Sequence, residues 1–330
     1  MAPVKLGIIG TGLAAQGLHL PALKKLKDKF TIAVVCNHTE DKAREFGKLA
    51  GKVPYVLDYR RVLEDPAVEA VLIALPIHLN YQAAKDSLAA GKHLLLEKPL
   101  AANLAEARSL VDFAAACSPV AMVAENYRFG RPFQEVKRLL DQGEAGRPYA
   151  VFCNSFSFMD RDNKYAKTAW RINHQYPGGF VTDGGVHYIA ALRHWFGPII
   201  PRSAVTQQTN PAIGKIDSLS LQFTASGGVS GIFNTYYSVN GYAERKFLIL
   251  GTAGTIILEG NKLTLKRQGK KDQERIVKDD GGFQAEWEDF YGAIREGKKT
   301  LYPFSEGYAD LEVIMKALEL AGDRTQTGHG

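Results

Sequence analysis

Residues 10–15 read Gly-Thr-Gly-Leu-Ala-Ala and follow directly on the apolar run 4–9. A Gly-x-Gly-x-x-(Gly/Ala) string between a strand and a helix fits a narrow set of local structures. Its first glycine allows a sharp turn, and its second leaves room for a pyrophosphate against the backbone. Ala15, small in the third position, lets helix and strand pack closely. The helix that opens there offers free N–H groups and a partial positive charge to phosphates. The expectation is a dinucleotide site built from Gly10, Thr11, Gly12, Leu13 and Ala14. Glycines also end strands for no further reason; the reading gains its force from the βαβ series that follows.

That series is legible as apolar runs at 31–36, 53–56, 71–75, 93–96 and 120–124, with helical stretches at 39–49, 80–90 and 103–117 between them. In the last stretch Leu104, Ala107, Leu110, Val111 and Ala114 recur at helical spacing. Continuous apolar strands alternating with helices predict an α/β fold, a Rossmann domain with a doubly wound parallel sheet over 1–126. A helix follows at 131–142, and then the pattern changes. Segments 149–158, 216–223, 229–238, 245–250 and 255–258 alternate in polarity, and turn residues separate them. With helices at 184–196, 283–296 and 305–320, they predict an α+β domain with an open, largely antiparallel sheet over 127–330. The basic block 262–275 reads as a hairpin with its strand at 262–267, and 322–330 as a frayed tail.

Apolar residues at 45% and charged residues at 23% exclude a disordered or fibrous chain. No apolar run approaches the roughly 20 residues that span a bilayer, so no membrane association is expected. The start of the chain has no secretory pattern, and Cys36, Cys117 and Cys153 lack metal spacing. They read as reduced thiols of a cytoplasmic protein without a metal. Lys and Arg (41) exceed Asp and Glu (35) by 6, but they are scattered. The excess suits an anionic cofactor and not a nucleic acid.

Which dinucleotide binds is set where the second strand ends. A carboxylate there accepts hydrogen bonds from the adenosine ribose and favours NAD. Here the residues are Asn37, His38 and Thr39, with Lys42 nearby. All can donate to a 2′-phosphate, so NADP is favoured and NAD is the alternative. Thr39 also suits a helix N-cap, with Glu40 and Asp41 placed well for the helix dipole.

The fifth strand delivers Glu97-Lys98-Pro99-Leu100 to the carboxyl edge of the sheet, where open α/β sheets bind ligands. A half-buried lysine there has its pKa pushed down, by up to about 3–5 units at full burial, and can exchange a proton with a substrate oxygen. A Glu97–Lys98 pair that only caps the sheet edge is the competing reading, and the Lys98–Pro99 bond is one that can be cis. Further on, Asp183 and His187 are four apart at the start of a predicted helix, so both can face one pocket. On the residues alone, a capping aspartate and a core histidine are the favoured explanation.

Gly10-Thr11-Gly12 and Glu97-Lys98-Pro99-Leu100, in this order and spacing, resemble the glucose–fructose oxidoreductase / inositol dehydrogenase / MocA (Gfo/Idh/MocA) family. His19-Leu20-Pro21-Ala22-Leu23, Pro76, the run from Ala89 to His93, Trp170-Arg171, Gly178-Gly179, the run from Asp183 to His187 and Gly251-Thr252-Ala253-Gly254 agree with it. The likeness covers nearly the whole chain.

The resemblance implies an NAD(P)-dependent dehydrogenase or reductase acting on CH–OH groups of a sugar, inositol or related polyhydroxy compound. Its substrate would lie between the domains, and a bare sheet face would join a homodimer or higher homo-oligomer. Lys98 and His187 would transfer protons and Asp183 would position a hydroxyl. Leu75, Pro76, Asn80 and Glu97, with Lys98, would complete the cofactor site. Asn126, Tyr127, Arg128, Trp170 and Arg171 would line the substrate pocket. Many family members carry a histidine where this chain has Asn80; His78 is two positions away. His19, His38, His93, His174, His194 and His329 show no partner pattern and read as structural or surface groups. Other readings are an enzyme of the same fold acting on a dihydrodiol, a bilin or an imine, a non-catalytic NADP-binding regulator, and a glycosidase that uses transient oxidation.

Overall fold

The computed structural model describes residues 1–160 and 162–325. They form two compact units, Met1–Asn126 with Gly282–Tyr308, and Tyr127–Gly281 with the chain from Ala309 onward.

In the first unit, strands β1 (Val4–Ile9), β2 (Phe30–Cys36), β3 (Tyr55–Val56), β4 (Ala70–Ile73), β5 (His93–Glu97) and β6 (Ala121–Ala124) form a parallel sheet in the order β3-β2-β1-β4-β5-β6. Leu6, Ile8, Val35, Val71, Leu72, Leu94 and Leu95 are wholly buried, as a sheet covered on both faces requires. Helices α1 (Leu20–Lys25), α2 (Glu40–Leu49), α3 (Tyr59–Glu64), α4 (Asn80–Ala89) and α5 (Leu104–Ala115) connect the strands. The strand order reverses between β1 and β4, which is where such sheets open a crevice for ligands.

The second unit holds α6 (Arg131–Asp141), β7 (Pro148–Phe156), the short α7 (Ala169–Ile172), α8 (Phe180–Phe196) and strands β8 (Ile199–Gln207), β9 (Ser218–Ala225), β10 (Val229–Tyr236), β11 (Glu244–Gly251), β12 (Thr255–Glu259), β13 (Lys262–Lys266) and β14 (Gln273–Ile276). The eight strands run β14-β13-β12-β11-β7-β10-β9-β8, antiparallel except for β7 with β10. Positive φ at Gly178 and Gly179 turns the chain into α8, and Gly197, also at positive φ, ends it.

The chain then returns. Helix α9 (Phe283–Glu296) belongs to the first unit, although the sequence division places it in the second domain. Amphipathic spacing identifies a helix but not the core it covers. Here Trp287, fully buried, packs edge-on against Phe30 with ring centroids 5.0 Å apart, and Tyr291 meets Phe30 at 5.7 Å. Helix α10 (Phe304–Thr325) carries the chain to the end of the described residues, so the expected tail is helical at least as far as Thr325. His329 lies outside the described residues. Among the described residues no helix is long and apolar enough to cross a membrane.

Candidate active site

The turn after β1 shows why its two glycines differ. Gly10 has φ +93°, and a β-carbon there would lie 2.3 Å from the carbonyl oxygen of Ala74, at the end of β4. The fold itself therefore demands glycine. A β-carbon at Gly12 would meet nothing within 4 Å. Protein packing leaves that space open, beside the start of a helix in which the Gln16 N–H donates to the Gly12 carbonyl at 3.0 Å. Open space over a glycine at a helix N-terminus fits a dinucleotide pyrophosphate. Leu13 is exposed and Ala14 half-buried, leaving the first turn accessible, while Ala15 is wholly buried. Leu75 and Pro76, half-buried past the end of β4, flank the same switch point.

The end of β2 is tied to this turn. The Thr39 N–H donates to Asn37 Oδ1 at 2.9 Å, Asn37 Nδ2 donates to Thr11 Oγ1 at 2.9 Å, and Thr11 Oγ1 donates to the Lys42 carbonyl at 3.4 Å. The Thr11 side chain, 1% exposed, is thus a brace of the loop and not an open ligand contact. His38 and Lys42 are exposed beside it. The neighbouring acids are engaged: Glu40 accepts from the Tyr55 hydroxyl at 2.9 Å, and Asp41 pairs with Arg44. Burial pushes the Cys36 thiol, the last residue of β2, up to about 11, so it stays protonated at neutral pH.

Lys98 is half-buried just beyond β5, and the bond to Pro99 is cis. Asn80, 1% exposed at the start of α4, is enclosed by protein, whereas the sequence reading gave it to the cofactor. Its Nδ2 donates to the carbonyls of Glu97 (3.2 Å) and Pro99 (3.0 Å). His19, expected to lack a partner, is wholly buried with Nε2 2.8 Å from Glu97 Oε1 and Nδ1 3.2 Å from Trp287 Nε1.

The second unit contributes a cavity of about 470 Å³ whose lining includes Tyr127, Ser155, Gly184, His187, Tyr188 and Tyr237. The His187 imidazole stacks on Tyr127, with centroids 4.8 Å apart. Gly184 is required here, since a β-carbon would lie 2.0 Å from the Tyr237 hydroxyl. Burial holds the Tyr188 and Tyr237 phenols well above their usual range, so both are neutral hydrogen-bonding groups, and Ser155 Oγ donates to the Tyr188 hydroxyl at 2.8 Å. Ser155, Ser157 and Tyr237 escaped the sequence reading because strand alternation shows which residues share a face but not which strand ends border a cavity.

Asp183 turns toward a different partner: Arg171 Nε donates to its Oδ2 at 2.7 Å, and the Arg171 guanidinium lies 4.1 Å from the Trp170 ring centroid. Arg128, expected to line the pocket, is 6% exposed, with Nη1 3.4 Å from Nδ1 of His194. The 3₁₀ turn Asn126–Arg128 leaves Tyr127 half-buried at the cavity and directs Arg128 inward. His174 also has a partner, the Tyr176 carbonyl, at 2.7 Å.

The profile described as oxidoreductase family, NAD-binding Rossmann fold, matches residues 4–125, and that of the Gfo/Idh/MocA C-terminal domain matches residues 133–257. The chain belongs to the Gfo/Idh/MocA oxidoreductase family. Within it, the chain is 34% identical to an oxidoreductase of Thermotoga maritima whose crystal structure it matches with TM-score 0.92 over 97% of each chain. It is 33% identical to an uncharacterised protein of Saccharomyces cerevisiae, covering 92% of this chain and 90% of that one. The scyllo-inositol 2-dehydrogenase (NADP⁺) of Bacillus subtilis is 24% identical, covering 97% of this chain and 94% of that one. This protein is an NAD(P)-dependent oxidoreductase.

Proposed function

We propose that this enzyme transfers a hydride between a nicotinamide cofactor and a CH–OH carbon, or the corresponding carbonyl, of an inositol, sugar or related polyhydroxy compound. The observation that carries the reading is Lys98, half-buried at the carboxyl end of β5, one strand from the β1–β4 switch point where Gly12 leaves its space open. When bound, the nicotinamide supplies or accepts the hydride. Gly10, Gly12, Leu13 and Ala14 would hold the pyrophosphate, with Leu75 and Pro76 beside them.

In the oxidising direction Lys98 Nζ hydrogen-bonds the substrate oxygen and takes its proton; in the reducing direction it returns one. His187 shares that transfer, its ring held flat on Tyr127. Asp183 contributes as a positioning group, fixing Arg171 over Trp170. Positioned acid–base groups of this kind contribute about 10²–10⁴ in rate. The neutral phenols of Tyr188 and Tyr237 and the serines of the cavity are suited to hydroxyl-rich ligands.

NADP is the proposed cofactor, because no carboxylate ends β2 and Lys42 and His38 are exposed there. A homo-oligomeric, cytoplasmic enzyme is the proposed setting. Supporting the first, Phe152, 38% exposed, and Ile232, 36% exposed, pair on neighbouring strands of the eight-stranded sheet. Supporting the second, all three cysteines are free. The test is a screen of scyllo-inositol, myo-inositol and hexoses with each cofactor, followed by nicotinamide absorbance. Turnover of a polyol supports the reading. Turnover restricted to dihydrodiols or imines would replace it, and tight cofactor binding with no turnover of any compound would make the protein a regulator. Saturating NADP⁺ should raise the melting temperature more than equal NAD⁺ does.

A further inference from the structure

Two side chains distant in sequence, Asn80 and His19, converge on the two residues that flank Lys98, and Trp287 holds the second of them. Asn80 Nδ2 has two protons, and both are used: one goes to the Glu97 carbonyl at 3.2 Å and one to the Pro99 carbonyl at 3.0 Å. The opposite orientation of the amide would set its oxygen against two carbonyl oxygens, so the geometry fixes which end points where. Asn80 Oδ1 is buried without a hydrogen-bond partner, an unfavourable position for a polar atom. The position thus gives up an acceptor to gain two donor bonds on the Lys98 loop.

The Glu97 side chain is held from another direction. The Trp287 indole is a donor only, so His19 Nδ1, 3.2 Å away, must accept. The His19 proton is therefore on Nε2, which donates to Glu97 Oε1 at 2.8 Å. The ring has little room to rotate, with the rings of Phe283 and Trp287 edge-on at 5.6 and 5.7 Å. A π-helical turn, Ala15–His19, carries the imidazole, and such insertions recur at functional sites.

We infer that Asn80 and His19 are positioning residues for the reaction, a two-sided clamp on Glu97 and Pro99 that fixes the base of the Lys98 side chain. The inference rests on the proton-transfer role proposed for Lys98. Misplacing a reacting group by about 1 Å costs on the order of 10² in rate, and the clamp removes that freedom from the backbone on both sides of Lys98.

The test compares the full-length wild type with Asn80→Leu, His19→Leu and His19→Gln. Lys98 is labelled with trinitrobenzenesulfonate without cofactor and read by peptide mass against exposed Lys48. Loss of the clamp should raise Lys98 labelling more than threefold in Asn80→Leu and His19→Leu, with Lys48 unchanged. His19→Gln keeps an amide donor toward Glu97 and should stay within threefold of wild type. Asn80→Leu should also lower kcat about 10–100-fold with scyllo-inositol and NADP⁺ while leaving the Kd for NADP⁺ within threefold. Should His19→Leu fail to fold, Asn80→Leu and His19→Gln still decide the matter. Labelling of Asn80→Leu within threefold of wild type, or slower, would overturn the clamp. So would an unchanged kcat in Asn80→Leu beside a collapsed kcat in Lys98→Met. Full turnover in Lys98→Met would sink the role of Lys98 itself, and the labelling would still decide the clamp.

Discussion

The imidazole of His187 lies against the phenol ring of Tyr127, centroids 4.8 Å apart and planes 21° from parallel. Tyr127 in turn stacks on Phe133 at 4.5 Å, so the orientation of the histidine depends on an aromatic column anchored in α6. Aromatic pairs of this kind are worth about 0.5–1.5 kcal/mol beyond their burial, or roughly 2–12-fold in rate if the stack matters only to the orientation of His187. Tyr127→Phe, which keeps the stack, should retain near wild-type kcat. Tyr127→Leu should lose several-fold in kcat with little change in cofactor affinity. Steady-state kinetics of the two variants side by side checks this, and equal losses in both would show that the hydroxyl matters and not the stack.

The contrast between Gly10 and Gly12 separates folding from cofactor binding. At Gly10 a β-carbon would collide with the Ala74 carbonyl at 2.3 Å in a backbone conformation side chains avoid, whereas at Gly12 it would meet nothing. Gly10→Ala should therefore lower the melting temperature of the free protein. Gly12→Val should leave that melting temperature within a few degrees and abolish the stabilisation that NADP⁺ gives. Thermal melts with and without NADP⁺ read both effects. Undiminished stabilisation of Gly12→Val would remove the pyrophosphate from this turn.

His93 gives the fold a dependence on acid. Burial, and then the positive charge of Arg295, hold its imidazole below the ordinary histidine value, with Glu69 opposing in part. Its Nδ1 accepts from the Val120 N–H at 2.9 Å, a bond that fits the neutral ring. A group whose pKa is depressed on folding contributes stability above its unfolded pKa, about 6.5, and loses it as pH falls through the folded value. The melting temperature should therefore decline as pH is lowered from about 7 to about 5, and His93→Gln, which keeps an acceptor, should flatten that decline. Identical pH dependence in the two proteins would assign the acid sensitivity elsewhere.

The path from sequence to structure was shortest where the chemistry is local. A buried strand, a glycine that must turn and the end of the following strand lie within a few residues of one another, and all three were readable around Gly10 and Asn37. Strand β8 was not read because Pro201 interrupts it and Ile200 and Val205 are exposed. It is an edge strand with a register shift after Pro201, a setting in which a strand tolerates proline. The partnership of Trp287 with His19 spans 268 residues and leaves no periodic signature. Arg171 and Asp183 show a subtler limit. Helical spacing put His187 in a helix that opens at Gly184 with Asp183 at its start, whereas the helix begins at Phe180 and contains both; spacing is also silent about the guanidinium that takes up the carboxylate.

Lys98→Met is the most direct measurement of the central claim, read as the rate of hydride transfer in a single turnover with polyol and NADP⁺ and as cofactor Kd in the same preparation. The transfer rate should fall at least about 10²-fold, with NADP⁺ affinity within threefold of wild type. Transfer at the wild-type rate in that variant would contradict it.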